Sequence, residues 1–390
     1  MKKIWPFSFY FLYFVAFASL MPFFVLFYQR LGFNGAQIGL LTGIPPLITM
    51  VAAPFWTSVA DAKRWHKWVM SLGIAVAVLV IFVLPSLTGF AVVFAAIIVF
   101  ATFLSPVSPL ADSATVRMLG EERAMYGRIR LGGTIGWGLF APIAGLIAQN
   151  YGLRIVFWCF SAGMLINLFV SQRFVYSSHE KDIPNSDGIR TLLTNRRWIF
   201  FLFLALLGGI GSSAASYLYP YMAELGANES MMGIALTVST LTEIPIFFFG
   251  HRLVKKFGSY GLLTLALMLF GIRSLLYAAV SAPVMVLVVQ AFSGMIFPAM
   301  WTAGVSYADE LAPAGLKSSA QGLFGAASFG FGAAISGFIS GLLLESIGGR
   351  GMFLVLGIMI LVGLAIIEGI RRLFPEKKDL PQTVVVSIDK

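Results

Sequence analysis

Long apolar windows separated by short polar turns run through almost the whole chain. They fall near residues 5–29, 38–60, 68–88, 90–111, 126–149, 153–172, 198–222, 230–250, 259–281, 283–307, 318–344 and 351–370. A helix needs roughly 20 apolar residues to cross a bilayer, and these windows match that length. They are continuous rather than alternating, so the spanning element is a helix, which satisfies its own backbone polar groups in lipid. The pattern predicts an all-α membrane protein of twelve transmembrane helices. The first window follows Lys2 and Lys3 and contains Ala16-Phe17-Ala18, which imitates a signal-peptide cleavage site. It stays apolar as far as Phe27 and has a counterpart later in the chain, so it reads as the first span.

The longest polar stretch, Arg173 to Arg197, divides the windows into six and six. This predicts a first bundle over 1–172, a cytoplasmic linker over 173–197, a second bundle over 198–373 and a tail over 374–390. The halves repeat. Leu31-Gly32 with Gly39 recurs as Leu225-Gly226 with Gly233. Gly145, Gly152, Arg154 and Phe157 recur as Gly341, Gly348, Arg350 and Phe353. The interval is nearly the same at both ends of a half, as expected of a duplicated six-helix unit.

Composition sharpens the class. The 390 residues are 58% hydrophobic and only 11% charged, against about a quarter charged in soluble domains, so the outer surface faces lipid. A net charge of +10 would suit nucleic acid, but its placement argues otherwise. Loops on one side hold only Arg30, Arg154 and Arg350, and nearly every other basic residue falls on the opposite side. That asymmetry predicts cytoplasmic termini, a cytoplasmic central loop and contact with anionic lipid headgroups. The single cysteine, Cys159, excludes an intramolecular disulfide and a cysteine-based metal site.

Four ionisable residues in or at the edge of predicted spans stand out: Asp112 in the fourth, Arg130 in the fifth, Glu243 in the eighth and Arg273 in the ninth. A charge at the bilayer centre costs roughly 2.5 to 3.5 kcal/mol on insertion scales, so such residues usually face a protein interior or an aqueous cavity. Two readings compete: structural ion pairs that hold helices together, or a polar cavity between halves that handles solute. The second is favoured. His66, His179 and His251 all fall in predicted loops, so any intramembrane proton carrier is a carboxylate, with Glu243 first and Asp112 second. Burial favours a neutral carboxyl and a nearby cation favours the charged form. Solute that occupies an arginine therefore changes the proton affinity of its acidic neighbour.

Trp137 lies seven residues after Arg130, with Thr134 between them, all on one helix face. Its ring is placed to stack on a sugar, a base or an aromatic acid. Tyr217, Tyr219 and Tyr221 cluster near the end of the seventh span, as solute ligands or as an interfacial belt. Glycines 132, 133, 136 and 138, and later 325, 330, 332 and 337, give the fifth and eleventh spans small surfaces for close helix approach.

The segment Tyr126-Gly-Arg-Ile-Arg130-Leu-Gly-Gly-Thr-Ile-Gly136 resembles the span-five signature of one branch of the major facilitator superfamily. That branch holds lactose permease, nucleoside–proton symporters and phenylpropionate-permease-like proteins. The resemblance extends over essentially the whole chain. It implies twelve helices in two pseudo-symmetric six-helix bundles with a central cavity that opens alternately to each side. It further implies that Asp112 and Arg130 stand at a substrate acid and its partner arginine, and that Trp137 stands at a sugar-stacking position. Glu243 falls at the span-eight glutamate of the nucleoside symporters and Arg273 at a span-nine arginine. Asp61 and Lys67 occupy the gating motif between spans two and three, with its glycine and Asp-Arg pair partly replaced. Span ten carries Ser293 and Ile296 where lactose permease has its coupling His and Glu, so that proton route does not carry over.

The expectation is a monomeric secondary transporter in a bacterial inner membrane, not an enzyme. It would bind a small solute at Asp112, Arg130, Thr134, Trp137, Arg273 and Tyr217. It would use protons as its coupling ion and no cofactor or metal. Sugars, nucleosides and aromatic carboxylates are the candidate solutes. A proton antiporter that exports amphipathic compounds is the alternative, supported by the partial echo of a drug-antiporter motif in Gly138-Leu-Phe-Ala-Pro-Ile-Ala-Gly145.

Overall fold

The computed structural model describes residues 3–176, 192, 194–313 and 316–373. Within them eleven helices are long and apolar enough to cross a membrane. In order these are α1 (Ile4–Arg30), α2 (Gly35–Lys63), α3 (His66–Ser86), α4 (Phe90–Glu122), α5 (Tyr126–Tyr151), α6 (Arg154–Ser171), α7 (Arg196–Glu224), α8 (Glu229–Phe257), α9 (Ser259–Ala279), α10 (Pro283–Leu311) and the long run Ser319–Leu373. The last is two spans. Gly348 takes φ 70° and ψ 175°, which no α-helix contains, and divides the run into α11 (319–347) and α12 (349–373). The twelve predicted spans are therefore present. The polar gap expected between the last two windows shrinks to one residue, and α4 runs on to Glu122, well beyond its window. The predicted tail and most of the linker, including His179, lie outside the described residues.

The sequence repeat has a structural explanation at each position. Gly32 and Gly226 have φ 78° and 85°, and Gly152 and Gly348 have 85° and 70°. All four close turns in the left-handed region, where a β-carbon is unfavourable. Asn34 and Asn228 follow the first pair as N-caps, accepting from the N–H groups of Gln37 and Met231. Gly39 and Gly233, and Gly145 and Gly341, lie where one half meets the other. A β-carbon on Gly39 would come within 3.1 Å of the Phe338 carbonyl oxygen, and one on Gly233, Gly145 or Gly341 would collide with the backbone at Ala141, Glu229 or Gly35. Phe157 and Phe353 are fully buried in their respective halves.

These contacts define two faces: a near face, where α1 begins, and a far face, where it ends. From mid-span to the far face, α2 packs on α11 and α5 on α8, with polar clasps between Arg30 and Glu229 and between the Gly35 N–H and Glu345. The halves are closed on each other there. Large side chains such as Phe169, Phe248 and Val288 are exposed on the outside of the bundle, which is the surface lipid covers. The fifth-span glycines behave as their spacing predicts: Gly132, Gly133 and Gly136 seat α5 against Phe7, Phe14 and Phe11 of α1.

Two of the three histidines depart from expectation. His66 is the buried first residue of α3, hydrogen-bonded at 2.8 Å to Asp61, and His251 lies within α8. Both spans run further toward the near face than hydropathy alone indicates.

A two-lobed central cavity

Between the halves lie two adjoining cavities of about 410 and 430 Å³ that share three wall residues, Met21, Ser216 and Phe329. Each falls within the roughly 300–1,000 Å³ typical of small-molecule sites.

Helical periodicity builds the second, polar lobe. On α8, Leu236, Ser239, Thr240 and Glu243 follow at i, i+3, i+4 and i+7 and so share one face. Gln290, Ser293 and Phe297 repeat the spacing on α10, Phe270 and Arg273 on α9, and Thr134 and Trp137 on α5. Phe14 of α1 meets the Trp137 ring edge-on at 6.2 Å. Four of the predicted residues, Thr134, Trp137, Glu243 and Arg273, thus line one chamber.

Arg273 is only 5% exposed. Its guanidinium donates to the Gly211 carbonyl at 2.6 Å and lies 4.9 Å from the Phe270 ring and 5.8 Å from the Tyr277 ring. Its Nε has no hydrogen-bond partner among the described residues. A buried, charged donor without an acceptor is costly, and this atom stands unsatisfied behind the chamber wall. Glu243 is half-buried and forms neither an ion pair nor a hydrogen bond among the described residues. Behind the wall, the Tyr277 hydroxyl donates to Gln290 Oε1 at 2.7 Å and lies 2.9 Å from Ser293 Oγ, which orients both side chains.

Asp112 and Arg130 stand elsewhere. They hydrogen-bond each other at 3.2 Å, with Tyr10 donating to Asp112 at 2.5 Å and Arg130 donating to Tyr126 at 2.7 Å. Their side chains are 32% and 44% exposed, and neither is in the wall of either lobe. Arg130 lies one helical turn nearer the near face than Thr134, about 6 Å along α5. The two readings of the intramembrane charges therefore apply to different pairs: Asp112 and Arg130 are joined, whereas Glu243 and Arg273 share a chamber.

Tyr217 is not in the wall. It is fully buried, donates to the Gly337 carbonyl at 2.7 Å and sits 2.7 Å from Thr42 Oγ1, tying α7 to α11 and α2. Tyr219 and Tyr221 are buried as well, so the three tyrosines form no interfacial belt. Spacing along a helix gives a shared face but not which neighbour that face meets. At the near-face end of α2, Asp61 is held by His66 while Lys67 is exposed. The polar wall residues of the second lobe that sequence reading passed over are Ser212, Ser213, Ser216, Ser239, Thr240 and Gln290. Gln290 was detectable as an amide inside an apolar span.

Comparisons with known proteins agree with this architecture. A maltose permease of Geobacillus stearothermophilus is 30% identical over 94% of this chain and 93% of its own length. A multidrug resistance protein MdtG of Yersinia enterocolitica is 28% identical over 59% of the chain. The crystal structure of the nucleoside transporter NupG superposes with a TM-score of 0.84 at 17% identity, covering 96% of this chain and all of that one. Twelve helices in two related halves around a central chamber define a multi-pass membrane transporter for small molecules, not an enzyme. The model of the MFS_1 like family matches residues 4–355, and the chain belongs to that family of the major facilitator superfamily.

Proposed function

We propose that the protein is a proton-coupled symporter for a neutral, hydroxyl-rich solute, a small oligosaccharide or a nucleoside. The observation that carries this reading is the content of the polar lobe: one guanidinium with a free donor, one carboxylate without a partner, a tryptophan and a ring of hydroxyl and amide groups. One acid and one base leave the chamber without net charge, and its remaining polar groups suit hydroxyls. The similarity to a maltose permease and the fold shared with a nucleoside transporter favour the same solutes. An aromatic carboxylate is less well matched, because the second arginine, Arg130, already has an acidic partner.

In this reading Arg273 and Thr134 engage solute hydroxyls and Trp137 stacks on the ring. Glu243 carries the proton, and Asp112 with Arg130 forms a charged pair beside the near-face approach. Asp61 and Lys67 act in gating at that face. The basic near-face loops support a bacterial inner-membrane location with cytoplasmic termini, and closure at the far face then corresponds to the inward-facing state of an importer.

The test is flux into proteoliposomes under an imposed pH gradient, with labelled maltose, a nucleoside and an aromatic acid. Accumulation of maltose or the nucleoside with an acidic exterior is expected. Solute-driven proton movement in the opposite sense would instead identify an exporter, the reading favoured by the similarity to MdtG.

A further inference from the structure

The first lobe differs chemically from the second. It is walled by α1, α2 and α4 of the first half, and no acidic or basic side chain lines it. Tyr13, Phe17, Phe24, Ile97, Phe100 and Leu104 are among the aromatic and aliphatic residues that line it. Two of its hydroxyls are committed to the protein itself: Thr42 Oγ1 donates to the Ile38 carbonyl and contacts Tyr217, and Ser105 Oγ donates to the Thr102 carbonyl. Pro45 and Pro46 line it where α2 passes. With no N–H of their own, these prolines add no backbone donor to the wall.

The boundary between the lobes is equally specific. Met21 lies in a 3₁₀ turn that interrupts α1, Ser216 in a 3₁₀ turn that interrupts α7, and Phe329 in a π-helical segment of α11. Three locally rewound helices meet at one waist, with a polar chamber on one side and an apolar chamber on the other. Rewound segments of this kind concentrate at functional sites and hinges.

We infer that the two lobes are subsites of a single elongated site, and that the preferred solute is an amphipathic glycoside. Its hydroxylated ring sits in the polar lobe, and an aryl or alkyl aglycone passes the waist into the apolar lobe. The inference rests on the hydroxylated-solute reading above and deepens it. A wholly hydrophilic sugar satisfies the polar lobe but leaves the aromatic wall of the other against water, whereas an apolar aglycone removes that wall from water and gains affinity in proportion to the area covered.

Binding is measured by calorimetry on the full chain in lipid nanodiscs. Alkyl maltoside micelles are avoided because such detergents themselves carry a sugar head and an alkyl tail. The probes are maltose and 4-nitrophenyl α-maltoside. The aryl glycoside is expected to bind at least tenfold more tightly than maltose in the wild type. Thr49→Trp and Ser108→Phe, on two different helices of the apolar wall, each place bulk in that lobe and should cut this preference to less than threefold. Detectable maltose binding shows that a variant has kept its folded site. Equal affinity for the two probes in the wild type would overturn the inference while leaving the symporter reading intact, as would a preference unchanged in both variants. Failure of both probes to bind the wild type would remove the sugar reading itself and the inference with it.

Discussion

Glu345 near the end of α11 accepts a hydrogen bond at 2.6 Å from the backbone N–H of Gly35, the first residue of α2. The carboxylate belongs to one half and the helix N-terminus to the other, so the contact joins the halves at the far face. A negative charge at the start of a helix is favourable because the first N–H groups lack intrahelical acceptors and the helix dipole is positive there. Removing it with Glu345→Ala should weaken closure by about 1–2 kcal/mol, or roughly 5–30-fold in the closed-to-open ratio. Labelling of Ser216→Cys in a Cys159→Ser background by an impermeant thiol reagent, applied from the far-face side, reads that ratio. Unchanged labelling would show that the clasp does not hold the face shut.

Backbone proximity at the same face gives a second expectation. A methyl group on Gly341 would collide with the Gly35 carbonyl and with Gly39, whereas one on Gly261 meets nothing within 4 Å. Gly341→Ala should lower the transport rate at least tenfold by obstructing closure, since tightly packed helices give way little. Gly261→Ala should remain within about twofold, because exposed helical Gly→Ala changes amount to about 1 kcal/mol or less. Uptake normalised to folded protein compares the two.

Glu243→Gln keeps the size and hydrogen-bonding capacity of the side chain but cannot exchange a proton. Solute exchange between identical compartments should persist, while uphill accumulation driven by a pH gradient should vanish. Accumulation that survives the substitution would remove Glu243 from the coupling step.

The Asp112–Arg130 pair is partly exposed, so its strength should be modest. A double-mutant cycle with Asp112→Asn and Arg130→Met should give a coupling of about 0.5–1.5 kcal/mol in thermal stability. A coupling near zero would mean that solvent screens the pair.

Tyr217 tests the difference between a solute ligand and a tether. Loss of its hydroxyl in Tyr217→Phe leaves the Gly337 carbonyl without that donor and should destabilise the protein by about 1 kcal/mol. Solute Kd should change by less than about twofold. A large change in Kd at constant stability would return Tyr217 to the binding site.

The spans were legible because continuous apolar windows have few alternatives in lipid, and the duplication was legible because its glycines and capping asparagines are required by turns and close approaches. Glu243 and Arg273 were legible for a related reason: an ionisable group within a span needs an aqueous or polar surround. The partners of such groups were not. Asp112 and Arg130 look much like Glu243 and Arg273 in sequence, and only the packing of α1, α4 and α5 distinguishes a joined pair from two groups sharing a chamber. The break at Gly348 was legible as the gap between the last two windows, but its narrowing to a single residue was not, because a hydropathy window averages over many positions. The division of the chamber into two lobes depends on helix crossing and on local 3₁₀ and π winding, for which residue propensities carry little signal.

A π turn contains one residue more than the α turn it replaces. Passing that surplus residue along α11 re-indexes the residues it crosses by one position, about 100° around the axis, without unwinding the helix. The phenyl ring of Phe329 would then swing away from Met21 and Ser216 as a turnstile arm does, with the spans on either side left in place.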